Sequence, residues 1–331
     1  MSLCVVIPVW NDPAGLGKLL RQLLEMPVFD QIIISDDGSS PPASPQTLNL
    51  PEQTIAALSC DARILWLRED VQRGAGHARN VALDKVATSH VIFFDSDDLF
   101  LPDFALLVAE LSGQDYDFCI FRHADSRIRA KGGFGPLGPD DGLWSKSGAM
   151  TISPTLLPLS GATQLCRISA YPWNKLYRTG FLRETGIRCT EIPVHNDLEL
   201  HWMSFLKARR ILTSRRVCCE HFVEPAGTRL TNRSGRERFE VLRALNALQD
   251  ELDQNPRQLE FLEPFAEFYT RLFGWIIDVL EPELRDTFAA MARRFLLKRV
   301  SVAQFTLIAL RNPAVAARIN RMIAATNGAA R

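Results

Sequence analysis

The chain has 331 residues, 47% of them hydrophobic and 23% charged, enough for one large domain or two moderate ones with a full core. Its 38 Lys and Arg balance 38 Asp and Glu, which excludes the overall basic field of a protein whose main partner is nucleic acid. The 7 cysteines lack the paired spacing of a zinc site and read as reduced thiols of a cytoplasmic protein, and no run nears the roughly 18 apolar residues of a membrane span.

The opening "MSLCVVIPVWND" carries an apolar run too short, and without the basic leader, for a signal peptide, so it reads as a first strand. Three more runs follow at 31–35 ("QIIIS"), 63–67 ("RILWL") and 90–94 ("HVIFF"), each rich in β-branched or aromatic residues. Between them lie the helical-period stretches "AGLGKLLRQLLEM" and "GAGHARNVALDKVA". That alternation predicts a mainly parallel sheet flanked by helices on both faces. The Pro/Ser-rich stretch at 38–46 reads as a connection or lid piece, and the Gly/Pro-rich region at 130–165 as a surface loop over the site. From about Arg236 helical signal dominates, with Pro256, Pro264, Pro282 and Pro313 expected to divide it. The simplest division is an α/β domain at 1–225 followed by a helical region at 226–331.

Each of the four runs ends in acids or amides: Asn11 and Asp12, then Asp36 and Asp37, then Glu69 and Asp70, and finally Asp95, Asp97 and Asp98 in "FFDSDDLF". In a parallel sheet those ends share one edge, where open α/β sheets bind their ligands. Three carboxylates so close repel one another, and a hard divalent cation offsets that repulsion. "RGAGHARNVAL" sets backbone amides and the Arg79 guanidinium near a helix start, which suits a diphosphate.

The ordered set "CVVIPVWND", "IIISDDGSS", "GAGHARNVALDKV", "VIFFDSDDLFLPDF" and "YPWNKLYRTGFLRETGIRCTEIPVHNDLELHW" resembles the successive motifs of family-two glycosyltransferases of GT-A fold, over about residues 2–225. The resemblance implies a nucleotide-sugar donor, a UDP-sugar first, held with Mn²⁺ or Mg²⁺ at a D-x-D motif. On this sequence Asp95 and Asp97 match that motif, Asp97 as metal ligand and Asp95 toward the ribose or a metal-bound water. Asp36, with Asp37 beside it, matches the contact to the base, the backbone from Pro8 to Asn11 matches the wall beside it, and Arg79 matches the arginine near uracil and diphosphate. Asp98 is expected to cap the following helix, from Leu101 to Leu111. The general base of the family, second in an acidic pair, falls on Asp197, with Asn196 where the first acid usually stands. An N-cap role for either is the plainer alternative.

The resemblance also places Trp173, Asn174 and Lys175 on the acceptor side, Trp173 stacking on a sugar or lying in the core, and gives His221 a place beside the metal or a purely structural one. It implies one inverting transfer per encounter to a glycan or lipid-linked acceptor, as in bacterial surface glycan assembly, because no Q-x-x-R-W motif of processive synthases is present. A non-catalytic nucleotide-sugar or glycan-binding relative is the alternative, for which Asn196 is the hint. A sugar nucleotidyltransferase would want a basic residue in the loop after the first strand, where "WNDPAGLG" has none before Lys18. The basic helical end at 285–322 suggests peripheral contact with the inner face of a membrane, a homodimer face, or a simple helical cap.

Overall fold

The computed structural model describes residues 1–223 and 233–324. Among the described residues, nine strands form one sheet: β1 (Leu3–Val9), β2 (Gln31–Asp36), β3 (Ile64–Arg68), β4 (His90–Phe93), β5 (Leu99–Phe100), β6 (Phe118–Asp125), β7 (Thr155–Leu156), β8 (Lys175–Arg178) and β9 (Ile211–His221). The helices of the α/β part are α1 (Pro13–Leu24), α2 (Glu52–Cys60), α3 (Ala75–Lys85), α4 (Asp103–Leu111), α5 (Ser126–Arg129), α6 (Gly138–Lys146), α7 (Leu159–Leu165), α8 (Thr179–Thr185) and α9 (Leu198–Lys207). After a 3₁₀ turn at Arg236–Glu240 come α10 (Val241–Gln254), α11 (Gln258–Val279), α12 (Pro282–Arg299), α13 (Val302–Arg311) and α14 (Pro313–Ala324).

The sheet order is β3-β2-β1-β4-β8-β6-β9-β5, with β7 also pairing on β9. The first four strands are parallel, and β8 joins β4 antiparallel. Because β2 and β4 lie on opposite sides of β1, the chain reverses its winding there, and a crevice opens at the carboxyl ends of those strands. Val9, Asp36 and Arg68 stand side by side in register at that edge.

Both sheet faces are covered, and the alternation of a strand divides its residues between two cores. Cys4 and Val6 of β1 face one, with Ile33, Phe93 and Tyr177; Leu3, Val5 and Ile7 face the other, with Leu16, Leu20, Phe104 and Phe121. Helix α1 starts where the Asp12 carboxylate accepts the Gly15 N–H and Pro13 occupies the first turn. Its Leu16, Leu19, Leu20 and Leu23, at helical spacing, are all buried.

The C-terminal helices extend the first of these cores. Trp202 of α9 meets Phe265 and Phe268 of α11 at ring-centroid distances of 5.0 and 5.2 Å. The boundary expected at 225/226 lies outside the described residues. Pro282 and Pro313 do open helices α12 and α14, but Pro264 sits inside α11 without dividing it. Burial of Phe261, Leu262, Phe265 and Ala266 around it outweighs the lost backbone bond. The break between α12 and α13 has no proline; there Ser301 and Gln304 form a reciprocal capping box.

The region 130–165 departs from the expected surface loop. It forms α6, β7 and α7, because Leu143, Trp144, Ala162 and Leu165 are spaced to bury against the sheet despite the glycines and prolines.

Candidate active site

At the end of β1, Pro8 is a buried strand residue in register with Ser35, and Asn11 takes a left-handed backbone with φ 49°. The Asn11 side chain accepts the Ser40 N–H at 2.8 Å, and its own N–H donates to Ser39 Oγ at 2.9 Å, so the first and second strand ends are laced together. Asp36 is 1% exposed. Its carboxylate accepts the N–H groups of Ser39 at 2.8 Å and Ala43 at 2.9 Å, and Arg68 Nη1 at 2.6 Å. Burial raises this carboxyl, but those bonds outweigh it and hold the group below its ordinary value.

Asp37 accepts the N–H groups of Arg73 at 2.8 Å and Gly74 at 2.7 Å, which ties the second strand end to the entrance of α3. Burial lifts its carboxyl against those two bonds. Both acids, expected at the base, thus shape the wall of the crevice rather than present open carboxylates. Gly38, at φ +79°, lets this wall close: a Cβ there would stand 2.9 Å from the Gln72 nitrogen.

Arg79 sits at the centre of the site, 5% exposed. Its Nη2 donates to Asp95 Oδ1 at 2.6 Å and its Nη1 to Asn196 Oδ1 at 2.7 Å. The guanidinium therefore joins the D-x-D segment after β4 to the residue before Asp197, across 117 residues of chain. A close approach makes this possible. A Cβ on Gly76 would lie 2.3 Å from the Thr190 carbonyl oxygen and 2.9 Å from Asn196 Cβ, so only glycine lets α3 pack on that loop. The Asn80 side chain clasps the same loop through the Cys189 N–H and carbonyl, each at 2.9 Å.

Asp197 occupies the N-cap position of α9 without making a side-chain cap bond. Burial pushes its carboxyl up to about 6, a rise that Arg79 and Lys175 moderate and Asp95 reinforces. A carboxylate in that range, near a bound acceptor, is matched to general-base work at neutral pH. Asn196 is engaged by Arg79 and caps nothing.

The oxygens of Asp95, Asp97 and Asp98 gather within 4.8 Å of one another. Such a set of hard donors fits Mg²⁺ or Mn²⁺, with Asp97 and Asp95 as the residues that would hold the ion. Asp98, though its oxygen lies in this group, is engaged from behind. It is 1% exposed and accepts His221 Nδ1 at 3.0 Å and the Phe222 N–H at 2.9 Å. Nor does it cap the next helix, since β5 intervenes and α4 begins at Asp103 behind Pro102. Burial opposes charge on His221, yet Asp98, Asp95 and Asp97 together raise its pKa. His221 thus stands behind the cluster as a partner of Asp98.

Trp173 is 1% exposed, stacked on Tyr171 at 4.3 Å with 18° between planes and flanked by His123 and His221. Its rings are covered, so the core reading of Trp173 applies and a sugar has no open face to stack on. Asn174 and Lys175 are fully buried as well. Lys175 Nζ donates to the Tyr171 carbonyl at 2.6 Å and to Asn174 Oδ1 at 2.7 Å, which corrects their expected contact with the acceptor. Burial pulls the Lys175 ammonium down to about 7 in spite of the fields of Asp197 and Asp140. Its charge is thus felt by Asp197 through the protein interior.

Several supports have no counterpart among the residues expected from sequence. The Asp12 carboxylate also accepts Ser96 Oγ at 2.8 Å, which links the first loop to the D-x-D segment. His77 lies between Glu191, with Oε1 3.2 Å away, and Glu69, with Oε2 3.7 Å away. Asp12 and Glu69, in the strand-end sets, carried a signal; Ser96 and Glu191 did not, because they stand 84 and 114 residues from Asp12 and His77 and have no local pattern.

Residues 4–134 match the family model described as Glycosyl transferase family 2. Among curated proteins, the poly(ribitol-phosphate) beta-N-acetylglucosaminyltransferase TarS of Staphylococcus aureus strain Mu50 is 24% identical over 287 residues, which is 83% of this chain and 45% of that protein. The same protein from strain MW2 matches with the same identity and coverage. The chain thus spans less than half the length of these relatives. The crystal structure of S. aureus TarS 1-349 in complex with UDP-GlcNAc superposes with TM-score 0.73 at 19% identity, covering 98% of this chain and 89% of that one. The S. aureus TarS structure gives 0.68 at 18% identity, covering 98% of this chain and 54% of that one. Among the described residues no helix is long and apolar enough to cross a membrane. The sheet with its switch at β1 and the acidic cluster after β4 thus lie on the fold of the matched TarS structures, the GT-A fold, and residues 4–134 are similar to the Glycosyl transferase family 2 model.

Proposed function

We propose that the protein is an inverting glycosyltransferase that moves one sugar from a UDP-sugar to an acceptor hydroxyl, with Asp197 as general base and residues 1–225 as the catalytic unit. The observation that supports this reading is the Arg79 bridge, which ties Asp95 of the acidic cluster to Asn196 beside Asp197. Asp197 takes the proton of the acceptor hydroxyl. The freed oxygen attacks the anomeric carbon from the face opposite the diphosphate, the bond from that carbon to the diphosphate oxygen breaks, and UDP leaves with its electron pair. One displacement inverts the configuration. Arg79, desolvated and pre-oriented, offsets charge on the leaving group. A divalent cation held by Asp97 and Asp95 would supply Lewis-acid neutralisation of the same charge.

UDP-GlcNAc, present in the matched TarS complex, is the first donor to test, and the name of that relative makes a polyol-phosphate glycan the first acceptor. Such a reaction belongs at the cytoplasmic side of bacterial surface glycan assembly. Isothermal titration of UDP-GlcNAc with Mn²⁺, and again with EDTA, tests the donor site. Binding that needs the metal and vanishes in Asp97→Ala supports the assignment; equal binding in EDTA or in the variant overturns it. Donor turnover retained in full by Asp197→Asn would remove that residue from the chemistry.

A further inference from the structure

The outer surface of the last three helices takes no part in the transfer chemistry. Between residues 287 and 324 the sequence holds 7 Lys or Arg and no Asp or Glu. The inner faces of these helices are consumed by the core, where Phe288, Leu296, Ile308 and Ile319 are fully buried. Their outer faces are unusual for a water-facing helix. On α13 Val302, Ala303, Thr306 and Leu310 are exposed along one uncharged side of the helix, while Arg311, also exposed, points off it at the last position. Val302 is 86% and Leu310 79% exposed. On α12 the outward stripe ends in Arg294, Leu297 and Lys298, Leu297 being 59% exposed, and leads straight into α13. Arg299 is held by Asp250 at 2.5 Å, but among the described residues no ion pair holds Arg294, Lys298 or Arg321, all exposed.

From this we infer that α12–α14 form a surface that lies on an anionic lipid bilayer, with the α13 side chains entering the headgroup boundary and Arg294, Lys298 and Arg321 meeting lipid phosphates. Charge decides against the other occupants. A second copy docked face to face through α13 and the C-terminal half of α12 would set these cations against their own equivalents, since the acids of these helices, Glu283 and Asp286, lie in the first turns of α12. A nucleic acid would meet bare Val and Leu where it needs aromatic platforms. A lipid surface satisfies both features, apolar insertion and cation pairing, and no helix among the described residues spans it, so the contact is peripheral. This inference rests on the helix surface and is independent of the transfer reading.

The test is co-sedimentation of the full chain with vesicles of phosphatidylcholine alone and of an equal mixture with phosphatidylglycerol. Two double variants accompany it, Val302→Glu with Leu310→Glu and Arg294→Glu with Lys298→Glu; all four positions are exposed, and circular dichroism with a thermal melt checks folding. Binding to the anionic vesicles only, weakened by salt and reduced at least about tenfold in both variants, is expected. No vesicle binding, equal binding to neutral vesicles, or binding indifferent to the variants overturns the inference. So does light scattering that shows a wild-type dimer broken by the Val302 and Leu310 changes without any vesicle binding, which would assign the face to a second copy.

Discussion

Asp197→Asn should weaken catalysis and strengthen the fold together. The carboxyl is pushed from its ordinary value of 3.8 to about 6, so the folded protein holds this proton more tightly than the unfolded chain between those two pH values. Stability therefore falls as pH rises through that window, because the folded state must keep an ionised carboxylate away from water. At about 1.4 kcal/mol for each pH unit, the interval between the two values corresponds to about 3 kcal/mol at pH 7. That is an upper bound for the gain in the amide variant, since the value already contains the attraction of Arg79 and Lys175 and the buried amide keeps a desolvation cost of its own. For transfer, loss of a general base costs on the order of 10²- to 10⁴-fold in kcat. In the wild type kcat should fall about tenfold per unit as pH drops below about 6, while at pH 7 roughly nine-tenths of the base is ionised. Urea denaturation at pH 4 and pH 7, alongside donor turnover over the same range, checks both halves. The variant should match the wild type near pH 4 and exceed it at pH 7. An Asn variant that is less stable at pH 7, or a wild-type profile flat from pH 7 to pH 5, would refute the assignment of a desolvated base.

Gly76→Ala should cost about 1–3 kcal/mol, because its Cβ would stand 2.3 Å from a backbone oxygen that cannot step aside, and transfer should fall as the Arg79 bridge to Asn196 loosens; chemical denaturation and turnover read the two effects. Trp173→Phe should lower stability by about 1–3 kcal/mol and leave the KM for acceptor unchanged, since the ring is 1% exposed; a raised KM with unchanged stability would return it to the acceptor site. Asp98→Asn should weaken the hold on His221 and Phe222 and cost about 1–3 kcal/mol while metal-dependent UDP binding persists, in contrast to Asp97→Ala, which should lose that binding; titration calorimetry separates them.

Much of this arrangement is written locally. Runs such as "CVVIPV" and "QIIIS" can satisfy a twice-covered strand and little else, and Asp12 with Pro13 marks the first helix start without outside help. Parallel strands in that order bring their ends to one edge, which is why Asp36, Arg79, Asp95 and Asp97 can be gathered from chain order alone. Proline and glycine content misled where burial outweighed it, at Pro264 inside α11 and in the helices of 130–165. Side-chain partners were out of reach altogether. Asp97 and Asp98 are neighbours of one type, yet Asp98 turns inward because His221, 123 residues later, returns on β9 beside it. Trp173 reads equally as core or acceptor contact and Lys175 as an acceptor contact, and the packing of Tyr171, His123 and His221 places Trp173 in the core while Tyr171 and Asn174 hold the ammonium inside. Backbone preference and hydrophobic period act over a few residues and are legible as text; burial, ion pairing and the basicity of Asp197 depend on which distant segments exclude water, and folding alone decides that.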